Sequence, residues 1–165
     1  MIVIRPELPL DGEAIRHVID AAFKQSAESI LVDRLREDGD LVLSLIAEED
    51  GVIVGHIAFS RLTVEDDDSR FPAVALAPLS VHPSCQGAGI GGSLVTAAHE
   101  MLRGRGERLA VVLGDPDYYA RFGYRRDLAE SFDSAYQSDE LLAVAFADKP
   151  PRTGLLRYAL AFAEL

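Results

Sequence analysis

The sequence predicts a mixed α/β layer domain, and three observations carry that prediction. Two segments near the start, around residues 11–23 and 30–39, repeat apolar residues at helical spacing. The pair Asp50-Gly51 separates two runs rich in branched apolar residues, a strong hairpin signal because the turn needs positive φ. Further on, a strand-like run passes through a cluster of glycines into an amphipathic helix and then another strand. Helices, hairpin, strand, loop, helix and strand in that order describe one sheet with helices packed on it.

Residues 2–5 read as an opening strand. Asp11 is placed as the N-cap of the first helix, whose stripe is Ile15, Val18, Ile19, Ala22 and Phe23. Ile30, Leu31 and Leu35 form a second helix that stops near Gly39. Leu41 to Ala47 and Val52 to Val64 are the hairpin strands, and Asp66-Asp67-Asp68-Ser69-Arg70 reads as a solvated loop. Ala73 to Val81 is the next strand. Pro78 within it cannot donate to a ladder, so it marks an edge, a bulge or a local opening. A helix from Gly89 to Arg103 carries the stripe Ile90, Leu94, Ala97, Ala98 and Met101, and Gly104 and Gly106 end it. Leu109 to Leu113 is a buried strand. Tyr118 to Phe122 has room for a short helix closed by Gly123. Leu142 to Phe146 and Leu155 to Phe162 are the final strands, the last of them also readable as a helix.

The chain has 165 residues, the size of one domain, and residues 1–165 are read as such. A chain of this length buries roughly 70% of its unfolded surface and needs no metal or disulfide to fold. The net charge of −11 opposes nonspecific nucleic-acid binding and docking on anionic lipid, both of which need a basic surface. Cys85 is the single cysteine, so no internal disulfide forms. The opening Met1-Ile2-Val3-Ile4-Arg5 lacks the features of a signal peptide, and no apolar run approaches a membrane span. A cytoplasmic setting is the expectation.

Residues 79–93 carry the sharpest signal: Leu-Ser-Val-His-Pro-Ser-Cys-Gln-Gly-Ala-Gly-Ile-Gly-Gly-Ser. Glycines let backbone N–H groups approach a ligand, and the following helix start adds free donors and a partial positive charge. Together they suit a pyrophosphate-like anion. A P-loop fails, because Ser93 and Leu94 stand where Lys and Ser/Thr are needed. A Rossmann fingerprint comes closer. Gly87, Gly89 and Gly92 match Gly-x-Gly-x-x-Gly, and Asp115 lies where a ribose-binding acid belongs. Against it, residues 82–86 separate Val81 from the first glycine, a hairpin precedes the loop, and little chain follows for a doubly wound sheet.

The third reading is coenzyme A. Gln86-Gly87-Ala88-Gly89-Ile90-Gly91 resembles motif A of the GNAT superfamily, Gln/Arg-x-x-Gly-x-Gly/Ala, in full. Leu79-Ser80-Val81-His82-Pro83 resembles the strand that precedes that motif. Tyr118-Tyr119-Ala120-Arg121-Phe122-Gly123-Tyr124 is similar to the family's later motif, a tyrosine four residues before Gly-Phe, with Tyr119 in the tyrosine's place. Val112 to Pro116 with Tyr118-Tyr119 resembles more particularly the YhbS-type bacterial subgroup. The usual asparagine upstream of the tyrosine is displaced here by the short turn Gly114-Asp115, so its contacts do not carry over. The likeness covers roughly residues 2–125.

The resemblance implies a GNAT-type fold, with a mixed, mostly antiparallel central sheet and helices on both faces. It implies an acetyl-CoA-dependent N-acetyltransferase that moves the acyl group to an amine by direct attack in a ternary complex. Leu79, Ser80 and Val81 would hold the pantetheine arm, with Gln86, Gly87, Ala88, Gly89, Ile90, Gly91 and Gly92 around the pyrophosphate. Tyr119 is the implied general acid, a phenol being a suited donor. The Val81 N–H is the candidate oxyanion donor. The base is unassigned between His82, a histidine beside the glycine loop, and Glu65 at the end of the long hairpin strand. Cys85 with His82 invites a covalent route, but no third orienting group is evident. Arg103, Arg105, Arg121, Arg125 and Arg126 are open candidates for the 3′-phosphate. No metal is expected. The acceptor is a small-molecule or peptide amine, and the oligomeric state is open, a homodimer included. The rival readings are a non-catalytic acyl-CoA sensor and a dinucleotide-binding protein.

Overall fold

The computed structural model describes residues 1–164. Strand β1 (Ile2–Pro6) leads through a 3-10 turn into α1 (Gly12–Phe23) and α2 (Ala27–Glu37). Then come β2 (Leu41–Glu49), β3 (Val52–Asp66), β4 (Ser69–Val81), α3 (Ile90–Gly104) and β5 (Leu109–Leu113). Short elements complete the chain: α4 (Pro116–Tyr119), α5 (Arg126–Ala129), β6 (Phe132–Asp133), β7 (Leu141–Ala145) and β8 (Gly154–Arg157). The sheet runs β1-β2-β3-β4-β5-β7, and β8 joins the far end of β3 and pairs with β6. Among the described residues, only β4–β5 and β6–β8 are parallel; the other pairs are antiparallel. That pattern is the mixed, mostly antiparallel sheet the resemblance implies, and it removes the doubly wound alternative, whose sheet is mostly parallel.

Alternation along the strands decides which helix each residue meets. Leu43, Leu45 and Ala47 of β2 join Ile57 and Phe59 of β3 under α3. Ile46 and Ala58 point the other way and pack on Ile15, Ile19 and Val32 of α1 and α2. Helices therefore cover both faces. The closest approach is at Gly55, where an added Cβ would lie 3.1 Å from side-chain atoms of both Ile90 and Leu94. Glycine there lets α3 settle onto the sheet.

Both central hairpins turn on two residues. Asp50 (φ 51°) and Gly51 (φ 83°) both take positive φ between β2 and β3, the twist-matched hairpin turn the sequence predicts. The expected loop 66–70 is shorter than its polarity suggests. Asp66 pairs with Ser69, so Asp67-Asp68 alone make the turn and β4 starts at Ser69 rather than Ala73. Exposed hairpin ends tolerate charge, so polarity hid the strand.

Three further expectations change. Asp11 precedes α1, but its side chain does not cap that helix. Its carboxylate instead accepts from the Leu8 N–H and from Arg5, both at 2.7 Å, tying the preceding turn. The buried stripe of α3 is Ile90, Leu94, Val95, Ala98, His99 and Leu102, while Ala97 and Met101 sit at its margin. The last expected strand, Leu155 to Phe162, is divided: β8 ends at Arg157 and a 3-10 turn spans Leu160–Glu164. Ala161 and Phe162 of that turn pack on Leu31 and Leu35 of α2.

Candidate active site

The sheet opens at Pro78. Strands β4 and β5 pair in parallel only from Val74–Leu76 against Ala110–Val112. Beyond Leu76 the register of β4 on β3 slips, so Ala77 and Pro78 together face Ala58 in a bulge. The Ala77-Pro78 peptide is cis, and Pro78 has no N–H to offer a neighbour. The parted strands leave a cavity of about 370 Å³ whose walls include Ala77, Pro78, Leu79, Leu113 and Tyr119.

Register sets the direction of the β4 backbone beside this gap. The His82 N–H donates to Val54 O at 2.9 Å, which makes Val54–His82 a hydrogen-bonded pair. Antiparallel pairs alternate, so Val81 opposite Gly55 and Leu79 opposite Ile57 belong to the other kind. Their N–H and C=O groups point away from β3, toward the side where β5 has left. The Gln86 side-chain amide donates to Val81 O at 3.0 Å, so of the two groups Val81 turns toward the gap the carbonyl is occupied and the N–H has no acceptor among the described residues. The intervening Ser80 is buried on the opposite face of the sheet, across from His56, and its hydroxyl has no partner among the described residues.

On the α3 face a second hollow, about 460 Å³, follows the glycine loop between Leu79, Val81, Gln86, Tyr118 and Arg121. The glycines serve different ends. Gly87 (φ 83°) and Gly89 (φ 81°) take backbone conformations that side chains disfavour, in open surroundings. Gly91 is helical, but a Cβ there would lie 2.8 Å from the Tyr118 hydroxyl. Gly92 has room for one, with Phe122 at 3.6 Å. Gly89 caps α3 without a side chain. The Ser93 N–H closes the first turn onto Gly89 O at 3.0 Å, so the N–H groups of Ile90, Gly91 and Gly92 have no acceptor within the helix. Ala88 is exposed on the loop, and Ile90 turns its side chain into the core. This cradle of N–H groups fits a pyrophosphate.

Leu79 lines both hollow and cavity, and Tyr119 lines the cavity beside Tyr118 of the hollow. Its ring packs edge to face against Tyr118 (5.0 Å) and Tyr124 (5.6 Å) and leans on the core under α3. Burial pushes its phenol up to about 12, with Tyr118 adding to the rise. It is therefore a proton donor throughout the neutral range. Asp115 caps α4, its carboxylate accepting the Asp117 N–H at 3.0 Å. A helix cap explains this residue better than a ribose contact does.

The other candidates separate. His82 caps the 3-10 turn Pro83–Cys85 by accepting the Ser84 N–H at 3.2 Å, and its ring stacks on His17 at 6.2 Å. Cys85 Sγ lies 3.6 Å from Ser84 Oγ, which in turn lies 2.8 Å from His82 Nδ1, so the Ser84 hydroxyl stands between thiol and imidazole, and Cys85 packs against the core. Glu65 is displaced altogether. It pairs with Arg157 at 2.9 and 3.0 Å, opposite Arg70, and the strand from Arg70 to Leu76 puts it roughly 20 Å from the gap. Among the arginines only Arg121 lines the loop hollow, its guanidinium 4.8 Å from the Tyr118 ring centre. Arg103 lies over Phe146, Arg105 donates to Val42 O, Arg125 pairs with Asp127, and Arg126 lies 3.9 Å from Asp139.

The sequence did not disclose Glu28. It lies on α2 and is the one carboxylate lining the cavity among the described residues. Phe23, Tyr136, Tyr158 and Phe162 join it there. No local motif marks these residues, which meet only when the C-terminal segment folds back on α1 and α2.

An opened mixed sheet beside a glycine-capped helix is the framework of the GNAT-type transferases. The family model described as the acetyltransferase (GNAT) domain matches residues 5–126, and the chain belongs to this family. The Escherichia coli K12 N-acetyltransferase YhbS is 39% identical over 124 residues, 74% of this chain and 73% of YhbS. A GNAT family acetyltransferase from Brucella melitensis, solved in complex with acetyl-CoA, is 40% identical with a TM-score of 0.83, covering 98% of each chain. Escherichia coli YhbS, solved in complex with CoA, superposes with a TM-score of 0.90 at 33% identity, over 98% of this chain and 92% of that one.

Proposed function

We propose that residues 1–165 form one acetyl-CoA-dependent N-acetyltransferase domain acting on an amine. The observation that carries this is the opening between β4 and β5, which joins the loop hollow to the cavity at Leu79 and sets Tyr119 beside it. The two relatives solved with CoA or acetyl-CoA support the same ligand here. The free N–H groups at the start of α3, with Gly87 and Gly89, would hold the pyrophosphate, and the edge groups of Leu79 would hold the pantetheine arm, with Val81 at its thioester end. Arg121 is the basic residue placed to meet phosphate. Acetyl-CoA supplies the activated acetyl thioester.

The chain's own residues then have three tasks. The Val81 N–H, held by Gln86 on the other side of its carbonyl, offers a preset dipole to negative charge developing on the acyl oxygen. Tyr119 keeps a proton at its phenol oxygen for the departing sulfur. A free thiol titrates near ~8.5, but the burial that raises the phenol also raises a thiolate formed beside it, which narrows the gap between them. The apolar walls exclude water, which favours attack by amine over hydrolysis. A cytoplasmic setting belongs to the same proposal; no helix among the described residues is long and apolar enough to cross a membrane.

The test is CoA release from acetyl-CoA with a panel of primary amines, alongside calorimetric acetyl-CoA binding. Turnover with at least one amine is expected. Tight binding with no turnover on any amine would favour the sensor reading instead.

A further inference from the structure

We propose that the acceptor is a primary amine that carries a second cationic group at the far end of a short apolar spacer and no carboxylate. The reacting nitrogen lies neutral at the strand opening, and the remote cation sits at Glu28. This deepens the acetyltransferase reading and rests on it for the chemistry, though not for the binding.

The cavity has two unlike ends. Where β4 and β5 part it is lined by residues 75–79, residues 111–113 and Tyr119, none of which carries a charge. An amine entering there loses water and gains no counter-charge, which favours its neutral, nucleophilic form. That nitrogen bonds the acetyl carbon as the C–S bond breaks. Tyr119 gives its proton to the sulfur, and the proton shed by the new amide restores the phenol.

At the other end, Phe23 of α1 and Glu28 of α2 meet Tyr136, Tyr158 and Phe162 of the C-terminal segment. These rings brace one another: Tyr158 meets Tyr136 at 5.1 Å and Phe162 at 5.4 Å, and the Tyr136 hydroxyl donates to Phe162 O at 3.4 Å. A half-buried carboxylate beside aromatic faces suits an organic cation. Gln25 donates its amide to both Glu28 oxygens, at 2.9 and 3.0 Å, which orients the carboxylate without neutralising it. Among the described residues no lysine or arginine lines the cavity or pairs with Glu28.

The two ends lie one short molecule apart. Ala77 packs against the cluster that Leu31 forms with Leu35, Ala161 and Phe162. Leu79 is two residues further along β4, roughly 7 Å from Ala77. Glu28 is one turn of α2 before Leu31, roughly 5 Å away. Two nitrogens joined by about four to six methylenes, roughly 6–9 Å apart, span that separation. A monoamine cannot use both ends. Its nitrogen lies either at the opening, with Glu28 left unpaired, or at Glu28, as an ammonium away from the thioester. An acceptor ending in a carboxylate sets like charge against Glu28. A second cation satisfies the carboxylate and the rings while the first nitrogen stays free to attack.

The experiment compares kcat/KM with acetyl-CoA for 1,3-diaminopropane, putrescine, 1,6-diaminohexane, hexylamine and 6-aminohexanoate. Putrescine or 1,6-diaminohexane should exceed hexylamine by about tenfold or more, the worth of one charge-assisted hydrogen bond. 1,3-Diaminopropane, too short to reach both ends, should lose that advantage, and 6-aminohexanoate should fall below hexylamine. Glu28→Gln should bring the ratio of 1,6-diaminohexane to hexylamine down to about one. A second readout is independent of turnover. By calorimetry on the CoA-loaded protein, N-acetyl-1,6-diaminohexane should bind about tenfold tighter than the neutral N-hexylacetamide, and Glu28→Gln should remove the difference. CoA affinity measured first on each variant shows that it is folded. Equal binding of the two amides, or transfer to hexylamine as efficient as to the best diamine, overturns the inference and leaves the acetyltransferase reading intact. Glu28-dependent binding of the charged amide with no CoA release from any amine leaves the cation site standing and defeats the acetyltransferase reading.

Discussion

Gly114 is a glycine because Tyr119 occupies the place its side chain would need. A Cβ on Gly114 would lie 2.6 Å from Cε2 and 3.0 Å from Cδ2 of the Tyr119 ring, closer than real Cβ contacts come. The ring is wedged between the end of β5 and Tyr124, so it cannot retreat without disturbing the core. Gly114→Ala should therefore push the phenol from the gap. Steady-state kinetics should show a fall in kcat of roughly a hundredfold, with the acetyl-CoA dissociation constant changed little. An unchanged kcat would mean that the position of this phenol does not govern turnover.

Tyr119→Phe removes the proton and keeps the ring. Loss of a positioned general acid costs roughly a hundred- to ten-thousandfold in kcat. Thermal unfolding should be little altered, because the ring contacts with Tyr118 and Tyr124 remain. A loss of acetyl-CoA binding in place of turnover would assign Tyr119 to binding alone.

The glycine loop makes a separable prediction. Gly89 holds φ 81° at the cap of α3 in open space, so Gly89→Ala meets no clash but adopts a conformation costing roughly 1 kcal/mol. Relief of that strain would turn the N–H groups of the first helical turn away from the anion. Acetyl-CoA affinity should fall about tenfold by calorimetry, with kcat at saturation nearly kept. Equal affinity in the variant would remove the loop from the cofactor site.

Glu65 provides a control. Its carboxylate is engaged by Arg157 at the far end of β3. Glu65→Gln should leave kcat and KM as they are, and a loss of activity would reinstate it as the base.

How much of this was readable in advance follows from range. The Asp50-Gly51 turn, the core positions Ile90, Leu94 and Ala98 of α3 and the Tyr119-to-Gly123 spacing are local, and local chemistry leaves a local pattern. Pro78 declared an interruption, and the bulge opposite Ala58 is its form. Ser69 and Arg70 looked like loop because exposed strand ends carry no apolar code. Glu65 looked available because its partner, Arg157, lies across the chain. Glu28, Tyr136 and Tyr158 were silent for the same reason: α2 and the C-terminal segment meet only in three dimensions. The reason a glycine stands at 114, the wedged Tyr119 ring, appears only in the packing.

The buried polar cluster behind the sheet predicts how stability depends on pH. Arg36 donates to Glu7 at 2.8 and 2.9 Å, the Ser44 hydroxyl donates to Glu7, and Ser44 lies 2.8 Å from His56 Nε2. With its one proton given to Glu7, Ser44 accepts from His56, so the imidazole is neutral with its proton on Nε2. Nδ1 is buried without a partner among the described residues, and a proton added there would be an unmatched charge. Burial accordingly pushes His56 down to about 4, with Arg36 opposing protonation and Glu7 partly favouring it. His99, within 3.0 Å of the Tyr124 hydroxyl, is also lowered to about 4, by burial and then by Arg103. Both histidines titrate near 6.5 when unfolded, so between pH 6.5 and 4 the unfolded chain binds more protons. Stability is then fully present above 6.5 and falls as pH drops toward 4, by about 3 kcal/mol for each histidine. Glu7 extends the loss further into acid: desolvation opposes its charge, but Arg36 and Ser44 prevail and hold its carboxyl below the usual range. Urea unfolding at pH 7.5 and 5.0 should show a lower midpoint at the lower pH. In His56→Gln the difference should shrink by about half, since His99 alone remains to titrate there. A midpoint independent of pH over this range would show that both imidazoles take up protons in the folded state as readily as in the unfolded one.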